Sequence, residues 1–374
     1  MPGLYLHIPY CYRACSYCNF HFSTSFDSKA SVIDAMKEEL RIRSSEWNTA
    51  FKSVYFGGGT PSILSPAEFD ELFDSIRSHL DLKEVEEITL ECNPEDLISE
   101  KLLSWKRNGV NRLSIGVQTF NDDLLRSINR QHREAQAIEG IRLAKEHGFN
   151  NISIDLIMGL PGSDNDLLLY DIEKALSLTP LHISAYQLSV EEKTALDHQV
   201  KSGQVKLPDE EEVNGQFHLL HQRLTAGGFH HYEISNYALP GFEAQHNSSY
   251  WTGASYLGIG PGAHSFDGKK RRWNISNNRS YVKEINSGGT WFEGEELSEK
   301  DRYNEMIMTS LRNDKGLDLT ELKDRFPDLF KEAILQEVEA WMEEGWASLK
   351  NNRIRLSMDG WLISDKLASE LFIL

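Results

Sequence analysis

The chain has few cysteines, no long hydrophobic run and no basic segment at its start. Four cysteines among 374 residues are too few for the disulfide framework of a small secreted protein. No run of about 18 apolar residues occurs, so no membrane-spanning helix is expected. No basic segment followed by an apolar one opens the chain, so no secretory signal is expected and we predict a cytoplasmic protein.

Positive charge is also scarce. Lys and Arg number 39 against 57 Asp and Glu, which gives a formal net charge of −18. Nonspecific binding to nucleic acid depends on neutralising phosphates, so nucleic acid is not an expected partner. The hydrophobic fraction of 40% is sufficient for sizeable cores, and the length favours one domain of about 250 residues with a smaller second domain.

The first 190 residues alternate between short apolar runs and amphipathic stretches. This alternation is typical of parallel βαβ units. Six such units fit either a partial barrel or an open doubly wound sheet, and the rhythm alone does not separate the two folds. Strands are predicted at 4–8, 53–56, 87–91, 112–117, 151–157 and 182–188. Helices are predicted near 28–44, 66–79, 99–108, 133–147 and 164–178.

The remainder of the chain has a different composition. Residues 190–300 are less regular and rich in glycine, histidine and aromatic residues. From about residue 300, three helical stretches, a hairpin with an Asn-Asn turn and a final helix resemble a winged-helix module. Its many acidic residues favour a structural or partner-docking role over DNA binding. The predicted division is a barrel domain at 1–235, a connecting segment at 236–298 and a C-terminal domain at 299–374.

Three of the four cysteines lie close together after the first predicted strand. Cys11, Cys15 and Cys18 form a C-x3-C-x2-C pattern. Three thiolates on one loop can hold a [4Fe–4S] cluster while the fourth iron stays open to another ligand. S-adenosylmethionine (SAM) can bind an open iron through its amino and carboxylate groups, and reductive cleavage of its C–S bond then yields a 5′-deoxyadenosyl radical. The pattern therefore predicts a radical SAM site.

A zinc site is the alternative for the same loop. His21 lies three residues after Cys18, so the three cysteines and His21 could complete a Cys3His tetrahedron. The spacing of the cysteines favours the cluster. The aromatic residues around the loop also favour it, because they would shield a cluster from water, although they would serve equally in an ordinary core.

The second predicted strand leads into a glycine-rich loop, Gly57-Gly58-Gly59-Thr60-Pro61. Consecutive glycines allow a ligand to approach backbone groups closely, and this loop follows a strand end, where the ligands of barrel proteins bind. We therefore expect the loop to hold the ammonium group of SAM. A side chain at Gly59 is expected to weaken SAM binding and to leave the cluster intact.

Polar residues at the ends of later strands extend this prediction. Glu91, Gln118 and Asp155 follow or end three predicted strands, and Arg130 could bind the carboxylate of SAM. Each is equally well explained as a capping or loop-anchoring residue when it is taken alone. Cys92 follows Glu91, and neighbouring residues of a strand point to opposite faces. Cys92 is therefore expected to be buried and not to be a ligand.

Five segments together resemble the oxygen-independent coproporphyrinogen III oxidase-like group of the radical SAM family. The resemblance implies an α/β fold, with a partial (β/α)6 radical-SAM TIM-like barrel and a helical, winged-helix-like C-terminal domain. It also implies that Cys11, Cys15 and Cys18 bind the cluster. The five segments are Leu4–Cys18, Gly57–Pro61, Glu91–Pro94, Gly116–Phe120 and Asp155–Pro161. The residues that the resemblance implies in contact with SAM are Tyr5, Gly58, Gly59, Thr60, Glu91, Gln118, Arg130 and Asp155.

Two differences separate the chain from the dehydrogenases of this group. Those enzymes carry a further cysteine two residues after the third ligand, where this chain has Phe20. They also carry an N-terminal extension that helps to hold substrate, whereas the first strand is predicted here from residue 4. Both differences disfavour decarboxylation of coproporphyrinogen. In both respects the chain resembles the HemW branch of the group, whose members are heme chaperones.

The segment from His246 to Trp251 resembles the H-N-x-x-Y-W motif of that branch. The resemblance implies heme binding by His246, Tyr250 and Trp251, since an imidazole can ligate heme iron and aromatic side chains can pack on the porphyrin. From the residues alone, the alternative is a loop whose histidine and asparagine make hydrogen bonds within a turn.

The resemblance therefore implies a heme chaperone that binds heme, a [4Fe–4S] cluster and SAM, and that passes heme to apo-hemoproteins. One alternative is an oxygen-independent coproporphyrinogen III dehydrogenase, which forms protoporphyrinogen IX by radical decarboxylation. Another is a zinc-stabilised scaffold without radical chemistry. A homodimer that forms on heme binding rests on the resemblance alone. A peripheral association with membranes would follow from acceptors of heme that are often membrane proteins, but no amphipathic basic helix in the chain supports it.

Overall fold

The computed structural model describes residues 2–47, 49–332 and 334–373. The strands are β1 (Gly3–Ile8), β2 (Ser53–Gly58), β3 (Glu87–Cys92), β4 (Arg112–Gln118), β5 (Asn151–Met158), β6 (His182–Gln187), β7 (His230–Glu233), β8 (Asn236–Ala238), β9 (Tyr256–Ile259), β10 (His264–Phe266), β11 (Lys270–Asn274), β12 (Phe292–Glu296), β13 (Leu317–Asp318), β14 (Ala347–Lys350) and β15 (Arg353–Leu356). The helices are α1 (Lys29–Arg43), α2 (Pro66–His79), α3 (Ser99–Arg107), α4 (Asp122–Ser127), α5 (Glu134–Glu146), α6 (Asn165–Ser177), α7 (Ala195–Lys201), α8 (Glu210–Ala226), α9 (Gln245–Trp251), α10 (Asn278–Ser287), α11 (Glu299–Leu311), α12 (Leu319–Arg325), α13 (Ile334–Glu343), α14 (Met358–Leu362) and α15 (Ser364–Glu370).

The large sheet has 12 strands within the described residues, in the order β12-β11-β10-β9-β1-β2-β3-β4-β5-β6-β8-β7. Strands β1 to β6 are parallel and lie side by side in chain order. A doubly wound sheet would reverse its strand order part-way across, whereas these six strands follow the chain without reversal. The partial (β/α)6 barrel is thus confirmed, and the open doubly wound sheet is excluded.

Further strands extend the barrel sheet at both edges. Strand β9 pairs in parallel with β1, and β10, β11 and β12 continue the sheet in antiparallel order. At the other edge, β8 pairs antiparallel with β6, and β7 follows it. The segment 236–298 therefore contributes five strands, β8 to β12, to the large sheet. The predicted division at residues 235 and 298 stays a prediction.

Alternate residues of the barrel strands face either the helices or the barrel interior, as the two-residue period of a strand requires. On β1, Leu4 and Leu6 are completely buried in the apolar layer between sheet and helices. Tyr5, between them, faces the interior and stacks on Tyr55 of β2, with ring centroids 6.1 Å apart. The helix-facing side is thus the hydrophobic core, and the interior is available for polar side chains.

Local signals set the helix starts. Ser65 caps α2 through reciprocal hydrogen bonds with Glu68, and Pro66 occupies the first helical position, where its missing amide hydrogen costs nothing. The side chain of Asp164 accepts a hydrogen bond from the amide of Leu167 and so caps α6. Both helices therefore begin directly after a loop that lies at the carboxyl end of a barrel strand.

The C-terminal part from α11 to α15 has its own apolar core, which includes Ile307, Val338 and Trp341. Its three-stranded antiparallel sheet has the order β13-β15-β14. Asn351 and Asn352 join β14 to β15 with φ angles of 51° and 58°, as the predicted hairpin turn requires. The helical, winged-helix-like C-terminal domain is confirmed. Among the described residues, no helix combines the length and the apolar composition needed to cross a bilayer.

Candidate cofactor site and heme motif

A cavity of about 530 Å³ opens at the carboxyl ends of the barrel strands. It is the place where ligands of parallel barrels bind, because the loops after the strands converge there. We refer to it as the cofactor cavity. Tyr5 is not among the residues that line it, but its ring stacks on Tyr55, which does line it, and its hydroxyl is hydrogen-bonded to Nδ1 of His7 at 3.1 Å. The predicted residues that line it are Cys11, Cys15, Cys18, Gly58, Gly59, Thr60, Glu91, Gln118, Arg130 and Asp155.

The three cysteines of the loop are free thiols on one wall of this cavity. Sγ of Cys11 lies 3.2 Å from the hydroxyl oxygen of Thr60, and Arg130 donates a hydrogen bond to Sγ of Cys15 at 3.6 Å. Burial raises the pKa of Cys11 to about 12 and also raises the pKa of Cys18. Metal binding must therefore displace protons from these thiols.

The zinc alternative does not fit this arrangement. His21, its proposed fourth ligand, is hydrogen-bonded through Nε2 to Oδ1 of Asn278 at 2.8 Å. Over the parts of the chain that the structure describes, no group of three or more His, Cys, Asp or Glu side chains could hold a single metal ion. In a [4Fe–4S] cluster each thiolate binds a different iron, so three separated thiols around one cavity do fit that group.

The glycine loop brings β2 close to the cysteine loop. The amide of Gly59 donates a hydrogen bond to the carbonyl of Ile8 at 2.9 Å. A Cβ atom at Gly59 would lie 2.8 Å from the carbonyl oxygen of Tyr10, a contact that is too short for any side chain. Gly58 has a φ angle of 110°, and a Cβ there would lie 2.8 Å from the ring of His7. These glycines are thus required by the packing of two loops as well as by the approach of a ligand.

Two carboxyl groups face the cofactor cavity from neighbouring parts of the barrel. Glu91 accepts a hydrogen bond from the hydroxyl of Tyr55 at 2.7 Å, and Asp155 accepts one from the hydroxyl of Ser114 at 3.0 Å. Burial raises the pKa of Glu91 to about 7, with the charge of Asp155 adding to the effect, and burial also raises the pKa of Asp155. Neither forms an ion pair with any described residue, so together they favour a cationic ligand.

Arg130 reaches the same cavity from the loop after α4. Its guanidinium donates hydrogen bonds to Oδ1 of Asn93 at 2.8 Å and to the carbonyl of Gly116. Its Nε atom is buried and has no hydrogen-bond partner among the described residues. Arg130 therefore brings an incompletely satisfied cation to the wall that holds Cys15, which suits an anionic group of a bound ligand.

Gln118, another residue that lines the cavity, has a φ angle of 70° at the point where the register between β4 and β5 shifts.

The heme motif lies at the opposite, amino-terminal end of the strands. It forms α9, whose first amides, those of Gln245 and His246, donate hydrogen bonds to Glu87 at 3.0 and 3.1 Å. Glu87 is the first residue of β3, and His246 also approaches Gly3 at the start of β1. The motif helix thus closes the barrel from the end away from the cofactor cavity.

His246 is buried, with 1% of its surface exposed. Its Nδ1 is hydrogen-bonded to the hydroxyl of Ser53 at 2.8 Å, its Nε2 to the hydroxyl of Tyr250 at 2.9 Å, and its ring stacks on Tyr55 at 5.0 Å. Burial lowers the pKa of His246 to about 3, so the imidazole is neutral. The assignment of His246, Tyr250 and Trp251 to heme stays a prediction. Iron ligation by His246 would require one of its two hydrogen bonds to break.

Comparison with known proteins places this geometry in a family. Residues 5–174 match the Radical SAM superfamily, and residues 297–363 match the HemN C-terminal domain. The chain is 35% identical to a heme chaperone HemW of Lactococcus lactis subsp. lactis (strain IL1403), over 95% of this chain and 92% of the relative. The chain belongs to the HemW family. A heme chaperone HemW of Bacillus subtilis (strain 168) is 32% identical over 98% of both chains.

Two further proteins are similar to this member of the HemW family, one in sequence and one in fold. A heme chaperone HemW of Escherichia coli (strain K12) is 37% identical over 70% of this chain and 69% of the relative. The solved structure of the coproporphyrinogen III oxidase HemN from Escherichia coli, a radical SAM enzyme, superposes with a TM-score of 0.85. It is 22% identical and covers 99% of this chain and 90% of that chain, so it supports the fold alone.

Several residues at the HemW-family site were not predicted from the sequence. Tyr17, Asn93 and Tyr186 line the cofactor cavity, and Tyr55 links Glu91 to His246. Strand alternation could have identified Tyr55, since it lies two residues before Gly57 on the same face of β2. Tyr17 and Asn93 lie in loops, whose side-chain directions no periodic pattern predicts.

Cys92 occupies the place that strand alternation predicts for it. It is 3% exposed, lies in the apolar layer between sheet and helices, and its thiol donates a weak hydrogen bond to the carbonyl of Ser114 at 3.6 Å. Burial raises its pKa well above the ordinary value for a thiol. Cys92 is therefore a small buried residue of the core in this member of the HemW family.

Proposed function

We propose that the protein is a heme chaperone, which binds heme, a [4Fe–4S] cluster and SAM and transfers heme to apo-hemoproteins. The observation that carries the proposal is the match to relatives named heme chaperone HemW over nearly the full length of both chains. The alternative, a coproporphyrinogen III dehydrogenase, has the support of a similar fold in HemN. It is disfavoured by Phe20, which replaces the further cysteine of those enzymes.

Membership of the radical SAM superfamily implies a [4Fe–4S] cluster and SAM, and the residues of the cofactor cavity fit both groups. Cys11, Cys15 and Cys18 would hold the cluster. When bound, the two groups supply reductive cleavage of the C–S bond of SAM. Glu91 and Asp155 would attract the cationic end of SAM. The remaining predicted SAM contacts are Tyr5, Gly58, Gly59, Thr60, Gln118 and Arg130.

The wider setting of this function is part of the proposal. The four cysteines are free thiols, and a reducing compartment such as the cytoplasm keeps cluster ligands in that form. The partners are heme and apo-hemoprotein acceptors, without nucleic acid. A homodimer and a peripheral association with membranes, near which acceptors of heme are often found, remain extensions of the same proposal.

A transfer assay tests the proposed function. Hemin-loaded protein, reconstituted with its cluster under anaerobic conditions, is mixed with apomyoglobin, and the absorption spectrum of holomyoglobin is followed. Heme transfer is expected to be much faster when the two proteins are mixed than when a dialysis membrane separates them, because a chaperone delivers heme by direct contact. In parallel, incubation with coproporphyrinogen III, SAM and a reductant is expected to yield no protoporphyrinogen IX. Porphyrinogen turnover without contact-dependent transfer would favour the dehydrogenase instead.

The affinity for SAM is expected to rise with pH. The pKa of Glu91 in the free protein is about 7, and a bound sulfonium cation stabilises its ionised form. Below pH 7 the binding of SAM must expel a proton from Glu91, whereas above pH 7 the carboxylate is already charged. The affinity should therefore increase about tenfold between pH 6 and pH 8. Burial is the main cause of this raised pKa; the charge of Asp155 raises it further, whereas the hydrogen bond from Tyr55 and the charge of Arg112 lower it.

Calorimetric titration of SAM at several pH values, with the cluster reconstituted, checks this dependence. Glu91→Gln is the matched variant, because it keeps the size and the hydrogen-bonding capacity of the side chain but does not ionise. The amino group of SAM also titrates in this range, so the informative quantity is the difference between the two proteins. If both proteins show the same pH dependence, Glu91 does not face the cation.

A further inference from the structure

A groove of about 600 Å³ separates the barrel sheet from the C-terminal domain. Its barrel wall carries aromatic side chains: Tyr250 and Trp251 of α9, Tyr256 of β9 and Phe266 of β10. The opposite wall is α11, where Arg302, Glu305, Met306 and Thr309 recur at helical spacing and thus share one face. The groove is therefore bounded by flat apolar rings on one side and by an amphipathic helix with a thioether on the other.

The groove concentrates positive charge in a chain whose net charge is −18. The basic residues that line the groove outnumber the acidic ones, which are Glu305 and Glu321. The basic residues are Arg271, Arg302, Lys315, Arg325 and Arg353. This excess of cations at a groove of an acidic protein indicates an anionic ligand.

Three of these cations already have partners. Ion pairs join Arg271 to Glu305 at 2.7 Å, Arg325 to Glu321 at 3.4 Å, and Arg353 to Asp318 at 2.6 Å. The other two, Arg302 and Lys315, form no ion pair with any part of the chain that the structure describes. In addition, Nε of Arg302 is buried without a hydrogen-bond partner among those residues. Two cations without an ion-pair partner among the described residues thus line a groove whose barrel wall is aromatic.

These features match one kind of small molecule. A flat, largely apolar ring would pack on Trp251 and Phe266, and two acidic groups on it would pair with Arg302 and Lys315. A cavity of this size lies within the range of pockets for drug-sized ligands and cofactors. Heme, a planar porphyrin with two propionates, has this combination of apolar surface and paired charge.

We propose that the heme of the proposed function binds in this groove, with its propionates on Arg302 and Lys315 and its ring between Trp251, Phe266 and Met306. The inference rests on the proposed function. It adds the place of binding and names the residues that recognise the propionates. These residues, Arg302 and Lys315, lie outside the H-N-x-x-Y-W motif. The motif contributes one wall, through Tyr250 and Trp251.

In this arrangement His246 is a positioning residue. It lies behind Tyr250, on the barrel side, and its Nε2 holds the hydroxyl of Tyr250 at 2.9 Å. The ring of Tyr250 packs edge-on against Tyr256 at 4.8 Å, so the hydrogen bond to His246 fixes one aromatic wall of the groove. Because His246 also stacks on Tyr55, which binds Glu91, the same residues connect the groove with the cofactor cavity.

Charge reversal tests the groove directly. The double variant Arg302→Glu with Lys315→Glu is titrated with hemin and followed at the Soret band, in parallel with the unmodified protein. Its dissociation constant is expected to rise about tenfold or more, because two charge-assisted contacts become repulsions. The matched control is Arg279→Glu with Lys350→Glu, two exposed cations outside the groove. That control should bind hemin within about twofold of the unmodified protein, as surface charges away from a site contribute little.

Hemin dimethyl ester provides the second arm, since it lacks both free carboxylates. It should bind the unmodified protein more weakly than hemin does, and the groove variant should bind the ester no worse than the unmodified protein does. If the unmodified protein binds no hemin, the proposed function and this inference both fail. If it binds hemin and the groove variant binds equally well, the groove is excluded while the proposed function stands. Thermal unfolding and iron content verify that each variant is folded.

The spectrum separates the two roles of His246. In His246→Ala the Soret maximum of bound hemin should stay where it is in the unmodified protein, while affinity falls because Tyr250 loses its partner. A shift of the Soret maximum, reversed by added imidazole, would show instead that His246 ligates the iron and would overturn the positioning role.

Discussion

A variant in which Cys11, Cys15 and Cys18 are all replaced by alanine is expected to lose its brown colour and its bound iron and sulfide. These residues are three of the four cysteines that line the cofactor cavity, and the fourth, Cys92, is 3% exposed and belongs to the apolar core. A [4Fe–4S] cluster depends on thiolate ligands. The other polar groups around the cavity are mainly oxygen donors and Arg130, which do not replace thiolate on iron.

Single replacements should have nearly the same effect. The loop offers one thiol for each of three irons, so loss of any one leaves a second iron without a protein ligand. Iron and sulfide analysis of anaerobically reconstituted protein, together with its visible absorption spectrum, measures the outcome. SAM binding to the open iron should disappear together with the cluster.

Cys92→Ser is the matched control for this experiment. Cys92 is the one remaining cysteine of the sequence, and it is buried on the helix-facing side of β3. The control should therefore retain its full iron content, with some loss of stability because a hydroxyl replaces a thiol in an apolar layer. If the triple variant keeps its iron, or if Cys92→Ser loses it, the ligand assignment is wrong.

The second large effect is expected for Gly59→Ala, which should lower both the affinity for SAM and the yield of cluster. The added Cβ would lie 2.8 Å from the carbonyl oxygen of Tyr10 and 2.9 Å from its amide nitrogen. Both are backbone atoms, which cannot rotate away as a side chain can. Tyr10 directly precedes Cys11, so the displacement reaches the first cluster ligand.

This expectation differs from the one that the sequence supports, in which Gly59 affects SAM alone. The reason is that the glycine loop and the cysteine loop are packed against each other, with the amide of Gly59 bonded to Ile8. Gly215→Ala provides the control, because a Cβ at that position of α8 would lie 4.0 Å from its nearest neighbour. Calorimetry with SAM and iron analysis of both variants measure the two effects. If Gly59→Ala has a normal cluster content and only its affinity for SAM falls, Gly59 affects SAM binding alone and the expectation from the structure is wrong.

The succession of strands and helices along the chain and the composition of the site could be predicted from the sequence, because each depends on short, regular patterns. The alternation of apolar runs and amphipathic stretches predicts parallel βαβ units, and the spacing of Cys11, Cys15 and Cys18 predicts a cluster loop. Strand parity even predicts that Cys92 points away from Glu91. These features depend on neighbours within a few residues, which the sequence displays directly.

The choice between barrel and doubly wound sheet required the tertiary structure. Both folds use the same βαβ units, and only the lateral order of strands separates them. The resemblance to a known family led to the barrel, and the pairing of β1 to β6 in chain order confirms it. The contribution of β9 to β12 to the same sheet could not be read from their sequences. Short strands after a glycine-rich stretch carry little periodic signal.

The sequence by itself determined which chemical groups the protein carries: three thiols on one loop, carboxylates at strand ends, and a histidine with aromatic residues in one motif. Tertiary structure alone decided what surrounds them. It placed His246 between Ser53 and Tyr250, with both ring nitrogens hydrogen-bonded, where the motif had implied a heme ligand. It also brought Arg302 and Lys315 of the C-terminal domain to the same groove as Trp251. Such contacts join residues far apart in the chain, and they depend on how whole elements pack, which no local pattern records.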